Sequence, residues 1–156
     1  MAQYLKEINF NRKVYVVGSQ ALAHELELVG VRTTGVGPER IQGPLVTAVT
    51  SSAFLDPEVG AVAVGFDREW SYDKLVKATT YLANPDCLFL AACPDEKLVI
   101  QGTGLHLPAG GIMMKSLELC SNRPARVMGK PSLNLFYMLQ ARYNIQPQKT
   151  LIIGDT

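Results

Sequence analysis

Short β-branched runs alternate with amphipathic stretches along this chain, the rhythm of strands and helices laid into a parallel sheet. Residues 14–17 form a four-residue apolar run closed by Gly18, as expected of a strand buried on both faces. Ser19 is placed to cap a helix over 20–29, with Ala21, Leu22, Leu26 and Val29 on its apolar face and Gly30 as its stop. A second short strand spans 31–34, and the Gly-, Pro-, Ser- and Thr-rich text of 35–57 predicts a surface excursion. Residues 61–64 read as a strand ending in Gly65-Phe66-Asp67. Ser71 then starts a helix whose buried stripe is Leu75, Ala78, Thr79 and Leu82. A strand over 88–92, a hairpin over 98–107 around Gly102-Thr103-Gly104, and a helix over about 112–120 follow. The chain then offers a strand over 126–128 that ends in Gly129-Lys130-Pro131-Ser132. A helix over 133–143 comes next, with Pro131 and Ser132 suited to its start, and a last strand over 150–153 runs into Gly154-Asp155.

Composition narrows the class. Of 156 residues, 47% are hydrophobic and 19% charged, which excludes disorder. Fifteen basic and 14 acidic side chains leave a formal charge of +1, so neither nucleic acid nor a membrane surface is an expected partner. No apolar run approaches the roughly 20 residues of a membrane span, and the first residues do not read as a signal peptide. Cys87, Cys93 and Cys120 are odd in number and lack CxxC spacing, which predicts free thiols in a reducing, cytoplasmic setting.

Ligands of open parallel sheets gather beyond the carboxyl ends of strands. Two such ends carry a charge: Lys130 after Gly129, and Asp155 after Gly154, 25 residues apart (155 − 130). A lysine there can neutralise phosphoryl oxygens as a point charge, and a carboxylate can offer a hard oxygen to Mg²⁺. A surface salt bridge is the plain alternative. Other candidates carry less. Cys93 has no basic neighbour to activate it, His24 lies on a solvated helix face, and His106 has no ligand partners at metal spacing. Gly35-Val36-Gly37 lacks the strand-turn-helix context and third glycine of a dinucleotide site. Phe66 is expected in the core, Trp70 in the core or an interface, and Asp67 in a turn or a contact between copies.

The order and spacing of several motifs resemble the haloacid dehalogenase phosphatases, in the branch of phosphoglycolate, pyridoxal phosphate and 4-nitrophenyl phosphate phosphatases. Gly129-Lys130-Pro131-Ser132, Gln146-Pro147 and the run from Thr150 to Asp155 resemble the second half of the phosphatase core. The run 14–18, residues 62–67, Tyr72-Asp73-Lys74-Leu75 and Pro108-Ala109-Gly110-Gly111 resemble that branch's large α/β cap. The resemblance implies a remnant of a core helix at 1–12, an α/β cap at 13–124 and a partial Rossmann-like parallel-sheet core at 125–156. It implies Mg²⁺-dependent hydrolysis of a small phosphomonoester through an aspartyl-phosphate, with Lys130 steadying nucleophile and phosphate and Asp155 ligating Mg²⁺. Substrate selection falls to the cap loop 91–98. There Asp95 and Leu98 are the implied substrate-binding residues, and Leu98 favours a small phosphorylated acid over a pyridoxal ring. Ala92 and Cys93 stand where the family has Thr-Asn or Thr-Asp. The family's Asp-x-Asp nucleophile pair occurs nowhere in the 156 residues, so the chain reads as a fragment or truncated form without turnover of its own. The alternative is a non-catalytic module that dimerises through the cap, as caps of this family do.

Overall fold

The computed structural model describes residues 1–151 and 153. In it the apolar runs become seven strands: β1 (Lys13–Val17), β2 (Thr33–Thr34), β3 (Val59–Val64), β4 (Leu88–Ala91), β5 (Lys97–Ile100), β6 (Leu105–Pro108) and β7 (Arg126–Val127). Five of them make a parallel sheet in the order β2-β1-β3-β4-β7, while β5 and β6 form a separate antiparallel hairpin. All six residues of β3 are buried, which is why its sequence shows no polar alternation.

Each central strand feeds two cores. Six α-helices, α1 (Ala2–Glu7), α2 (Gln20–Glu27), α3 (Leu45–Val49), α4 (Tyr72–Leu82), α5 (Gly110–Ser121) and α6 (Leu133–Tyr143), surround the sheet. Tyr15, Val17, Val62, Val64 and Phe89 pack with Ala78, Tyr81 and Leu82 of α4 and Met113, Met114 and Leu117 of α5. Val14, Val16, Ala61, Ala63 and Leu90 pack on the opposite face with Leu5 of α1, Ala23 and Leu26 of α2, and Met138 of α6. The result is the three-layer α/β architecture that the alternating pattern predicts.

Local chemistry sets the element ends. Ser71 Oγ accepts from the Lys74 amide at 3.2 Å to cap α4, and Ser132 Oγ accepts from the Asn134 amide at 3.1 Å to cap α6. The fork of Arg123 donates to the carbonyl oxygens of Leu82, Asn84, Pro85 and Cys87 at 2.8, 2.9, 3.2 and 2.8 Å, tying the α4–β4 loop to the α5–β7 link.

Three expectations are corrected. On α2 the inward residue is Ala23, with Ala21 exposed, because the helix turns its 23/26 stripe toward the sheet. Phe66 is 46% exposed and outside the core, since the turn after β3 buries Asp67 instead. The excursion over 35–57 runs on the surface as expected, with the short helix α3 within it. The strand expected over 150–153 does not form at the described positions: Leu151 and Ile153 are 82% and 88% exposed, and no described strand lies beyond β7 to pair with them.

A candidate active-site cleft

Strand order 2-1-3-4-7 reverses direction between β1 and β3, where doubly wound sheets open a ligand crevice. Here Leu22 fills that place: its Cδ2 lies 3.0 Å from where a Cβ on Gly18 would sit and 3.2 Å from one on Gly65. The open cleft lies instead beyond the carboxyl ends of β4 and β7.

Two backbone pairings carry the sheet into this cleft. The Ala92 amide donates to Val64 O and the Met128 amide to Ala91 O, both at 2.8 Å. The loop that follows β4 is then gripped from two sides. Gly129 lies so close to it that a Cβ there would be 2.2 Å from Ala92 O. Gly111, at the start of α5, donates its amide to Asp95 O at 2.7 Å, and a Cβ there would fall 2.3 Å from Pro94 O. Ala109 N–H adds a bond to Glu96 O at 3.0 Å. Both glycines are thus required by close approach of backbone to backbone.

From this gripped loop the chain passes into the β5–β6 hairpin, where Leu98 faces Leu107 across the ladder. Asp95, Lys97, Leu98, Val99 and Gln101 line a cleft of about 750 Å³ together with Lys130 and Pro131, which are joined by a cis peptide bond. Three of the expected site residues, Asp95, Leu98 and Lys130, therefore meet at one cleft, although 35 positions separate the first from the last (130 − 95). Asp155 lies outside the described residues. Lys97 and Gln101 were not singled out by sequence; the signal available was the period-2 spacing from Asp95 along an emerging strand.

The lining can hold an anion. It carries two ammonium groups and one carboxylate, and contains no serine, threonine, cysteine or histidine. Beside it, burial pushes the Cys93 thiol up. The Asp95 carboxylate accepting from that thiol adds to the effect and the Asp95 amide opposes it, so Cys93 is a protonated, unreactive thiol at neutral pH. Among the described residues no group of three His, Cys, Asp or Glu side chains is placed together as metal ligands.

Asp67 takes the turn role expected of it. It is 3% exposed, accepts from Glu69 N at 2.8 Å through Oδ1, and takes the fully buried ammonium of Lys74 on Oδ2. This pair fixes the turn after β3, against which the start of α5 is packed: a Cβ on Gly110 would lie 2.9 Å from the Gly65 carbonyl carbon.

No protein-family profile matches the chain. Individual proteins do. Human glycerol-3-phosphate phosphatase is 42% identical over 143 residues, 92% of this chain and 44% of that protein. Phosphoglycolate phosphatase 1A of Arabidopsis thaliana is 34% identical over 157 residues, 99% of this chain and 43% of that protein. Among solved structures, glycerol phosphate phosphatase from Mycobacterium tuberculosis in complex with magnesium superposes with a TM-score of 0.68 at 26% identity, covering 93% of this chain and 38% of that one. The chain spans less than half the length of these proteins.

Proposed function

The chain belongs to the haloacid dehalogenase superfamily of phosphatases, and from that premise we propose that it supplies the substrate-selecting cap and the phosphate-steadying lysine of a phosphomonoesterase site. The observation that carries this reading is the convergence of Asp95, Leu98 and Lys130 on one cleft. Lys130 meets the phosphoryl oxygens as a point charge, while the gripped loop 92–96 and the hairpin present Asp95 and Leu98 to the rest of a small phosphorylated metabolite. The division into a core-helix remnant at 1–12, a cap at 13–124 and a partial core at 125–156 belongs to the same proposal. Mg²⁺ is the cofactor that goes with it, as in the Mycobacterium tuberculosis relative, and Asp155 is its proposed ligand; the ion would offset charge on the phosphoryl group. A reducing, cytoplasmic setting suits the three free cysteines.

Residues 1–156 hold no Asp-x-Asp pair to attack phosphorus, so this polypeptide alone binds without turning over. The test has two readouts. Titration with inorganic phosphate should shift the Lys130 amide resonance and fail to do so at Lys130→Gln neighbours. Hydrolysis of 4-nitrophenyl phosphate with Mg²⁺ should stay at the buffer rate. Lys130-dependent hydrolysis would overturn the inactive reading, and an unmoved Lys130 resonance would overturn the site.

A second reading, dimerisation through the cap, is favoured by the hairpin. Leu98, Val99, Ile100, Leu105 and Leu107 are each at least 39% exposed on a two-stranded ribbon with both edges unpaired among the described residues. Sedimentation should then give a dimer that Leu107→Lys converts to monomer.

A further inference from the structure

The excursion over 35–57 is tied down along its length, and a cavity of about 270 Å³ remains between it and α4. Tyr15 of β1 donates its phenol to Glu39 Oε2 at 3.2 Å, and Lys77 of α4 donates to Glu39 Oε1 at 2.9 Å. Burial, and then the Glu39 charge, push that phenol up, so it stays a donor at neutral pH. The Ile41 amide donates to Asp73 Oδ2 at 3.0 Å, and the Asp56 amide to the Tyr81 hydroxyl at 2.9 Å. These ties fix the cavity in advance of any ligand. Its lining carries Glu39, Arg40 and Lys77, a formal charge of +1 from two cations and one carboxylate (2 − 1), beside Phe54, Ala48 and Ala53. Both oxygens of Glu39 are already engaged. Lys77, whose ammonium also stands 5.9 Å from the centre of the Phe54 ring, uses one of its three donors on Glu39. Among the described residues Arg40 makes no ion pair and no side-chain hydrogen bond. The cavity therefore offers cationic donors beside a flat apolar ring, and its one carboxylate is committed to holding the excursion in place.

We propose that this cavity is a second binding site, which takes a small carboxylate with a flat apolar body. The carboxylate pairs with the planar fork of Arg40 and with the remaining donors of Lys77, while the body lies against Phe54 and the two alanines. The site shares no lining residue with the cleft at Lys130, so it stands or falls independently of the phosphatase reading.

The test is an NMR titration of the full chain with benzoate and with benzamide, its neutral counterpart of the same shape. Benzoate should shift the Ala48, Ala53 and Phe54 amide resonances and bind about fivefold more tightly than benzamide, the size of one exposed charge pair. Arg40→Gln should bring the two affinities together without disturbing the sheet, since Arg40 is exposed. Lys6→Gln, an equal loss of charge on the exposed side of α1, should keep the fivefold ratio, and so should Lys130→Gln in the other cleft. The site is overturned if benzoate moves only the resonances of Asp95, Lys97 and Lys130, or if it has no advantage over benzamide. It is equally overturned if the advantage survives Arg40→Gln, or if Lys6→Gln also abolishes it, which would make it long-range attraction. Loss of the advantage in Lys130→Gln would place the anion in the other cleft and remove the second site.

Discussion

Lys74 stands in the first turn of α4 with no exposed surface, and its ammonium rests on an Asp67 carboxylate that is itself buried. Two such charges leave water at a cost that their attraction and the Glu69 amide only just offset, so the pair adds little net stability but becomes expensive when broken. Lys74→Met should lower stability in urea by about 3 kcal/mol, because it strands a buried carboxylate. Adding Asp67→Asn to Lys74→Met should recover part of that loss. Strictly additive losses in the double variant would show that the two side chains do not compensate one another. The consequence reaches the cleft, because the turn they fix supports Gly110, and Gly111 next to it holds Asp95. Sequence alone marks Asp67 at a strand end and leaves Lys74 out of the buried stripe of its helix; only the turn between them brings the lysine inward.

Among elements, the strands were the most legible, since β1, β3 and β4 are apolar runs short enough to be read directly. The hairpin was legible from its two glycines, both with left-handed φ (77° at Gly102 and 69° at Gly104). The grip on the loop after β4 was not, because it depends on α5 and β7 approaching one backbone from opposite sides. Gly129→Ala and Gly111→Ala should each cost about 1–3 kcal/mol, as the new Cβ meets backbone carbonyl oxygens that cannot swing aside. Both should also perturb the Asp95 and Lys97 amide resonances, whereas Gly37→Ala, with nothing within 4 Å, should leave them alone even where its φ of +85° costs stability. A second inter-element tie lies at the start of β1. Lys13 Nζ meets Asp56 at 2.8 Å and Glu58 at 2.7 Å, and Arg32 reaches Glu58 at 2.9 Å. The Lys13 hydrogen bond is the leading cause that holds both carboxyls below their ordinary values of 3.8 and 4.5. Stability from these groups is therefore present above about those values and lost as pH falls through the lower folded ones. The same bonds raise Lys13 above 10.5, so its share is present below that pH and lost on passing above it. The melting-temperature gap between the natural chain and Lys13→Met should stay flat from about pH 5 to 9 and close in strong acid; a constant gap down to pH 2 would contradict the linkage.

At the scale of the molecule, strand order could not be read from apolar runs, because each run specifies burial on both faces and says nothing of its neighbour. That matters most for β7. The division proposed at 124/125 assigns Arg126 and Val127 to the partial core, yet these residues pair with Leu90 and Ala91, and the Met128 amide donates to Ala91 O at 2.8 Å. Beyond Gly129 the packing changes. α6 has no fully buried residue, meets the core mainly through Met138, and leaves Leu133, Tyr137 and Tyr143 between 57% and 64% exposed. A segment that buries so little opens at low free energy, whereas β3 can exchange only when the sheet itself comes apart. Amides of 133–143 should thus exchange at least about a hundredfold faster than those of 59–64. Val127 and Met128 decide where the stable unit ends. Exchange of the Met128 amide at the rate of β4 would place the cooperative boundary at Gly129, with Lys130 as the first residue past it. Exchange at the rate of α6 would support the boundary at 124/125, and uniform protection from β1 through α6 would refute any division there. The first outcome is expected. It would put Lys130, the proposed phosphate-steadying residue, at the seam between a rigid sheet, which orients it through Gly129, and a looser segment.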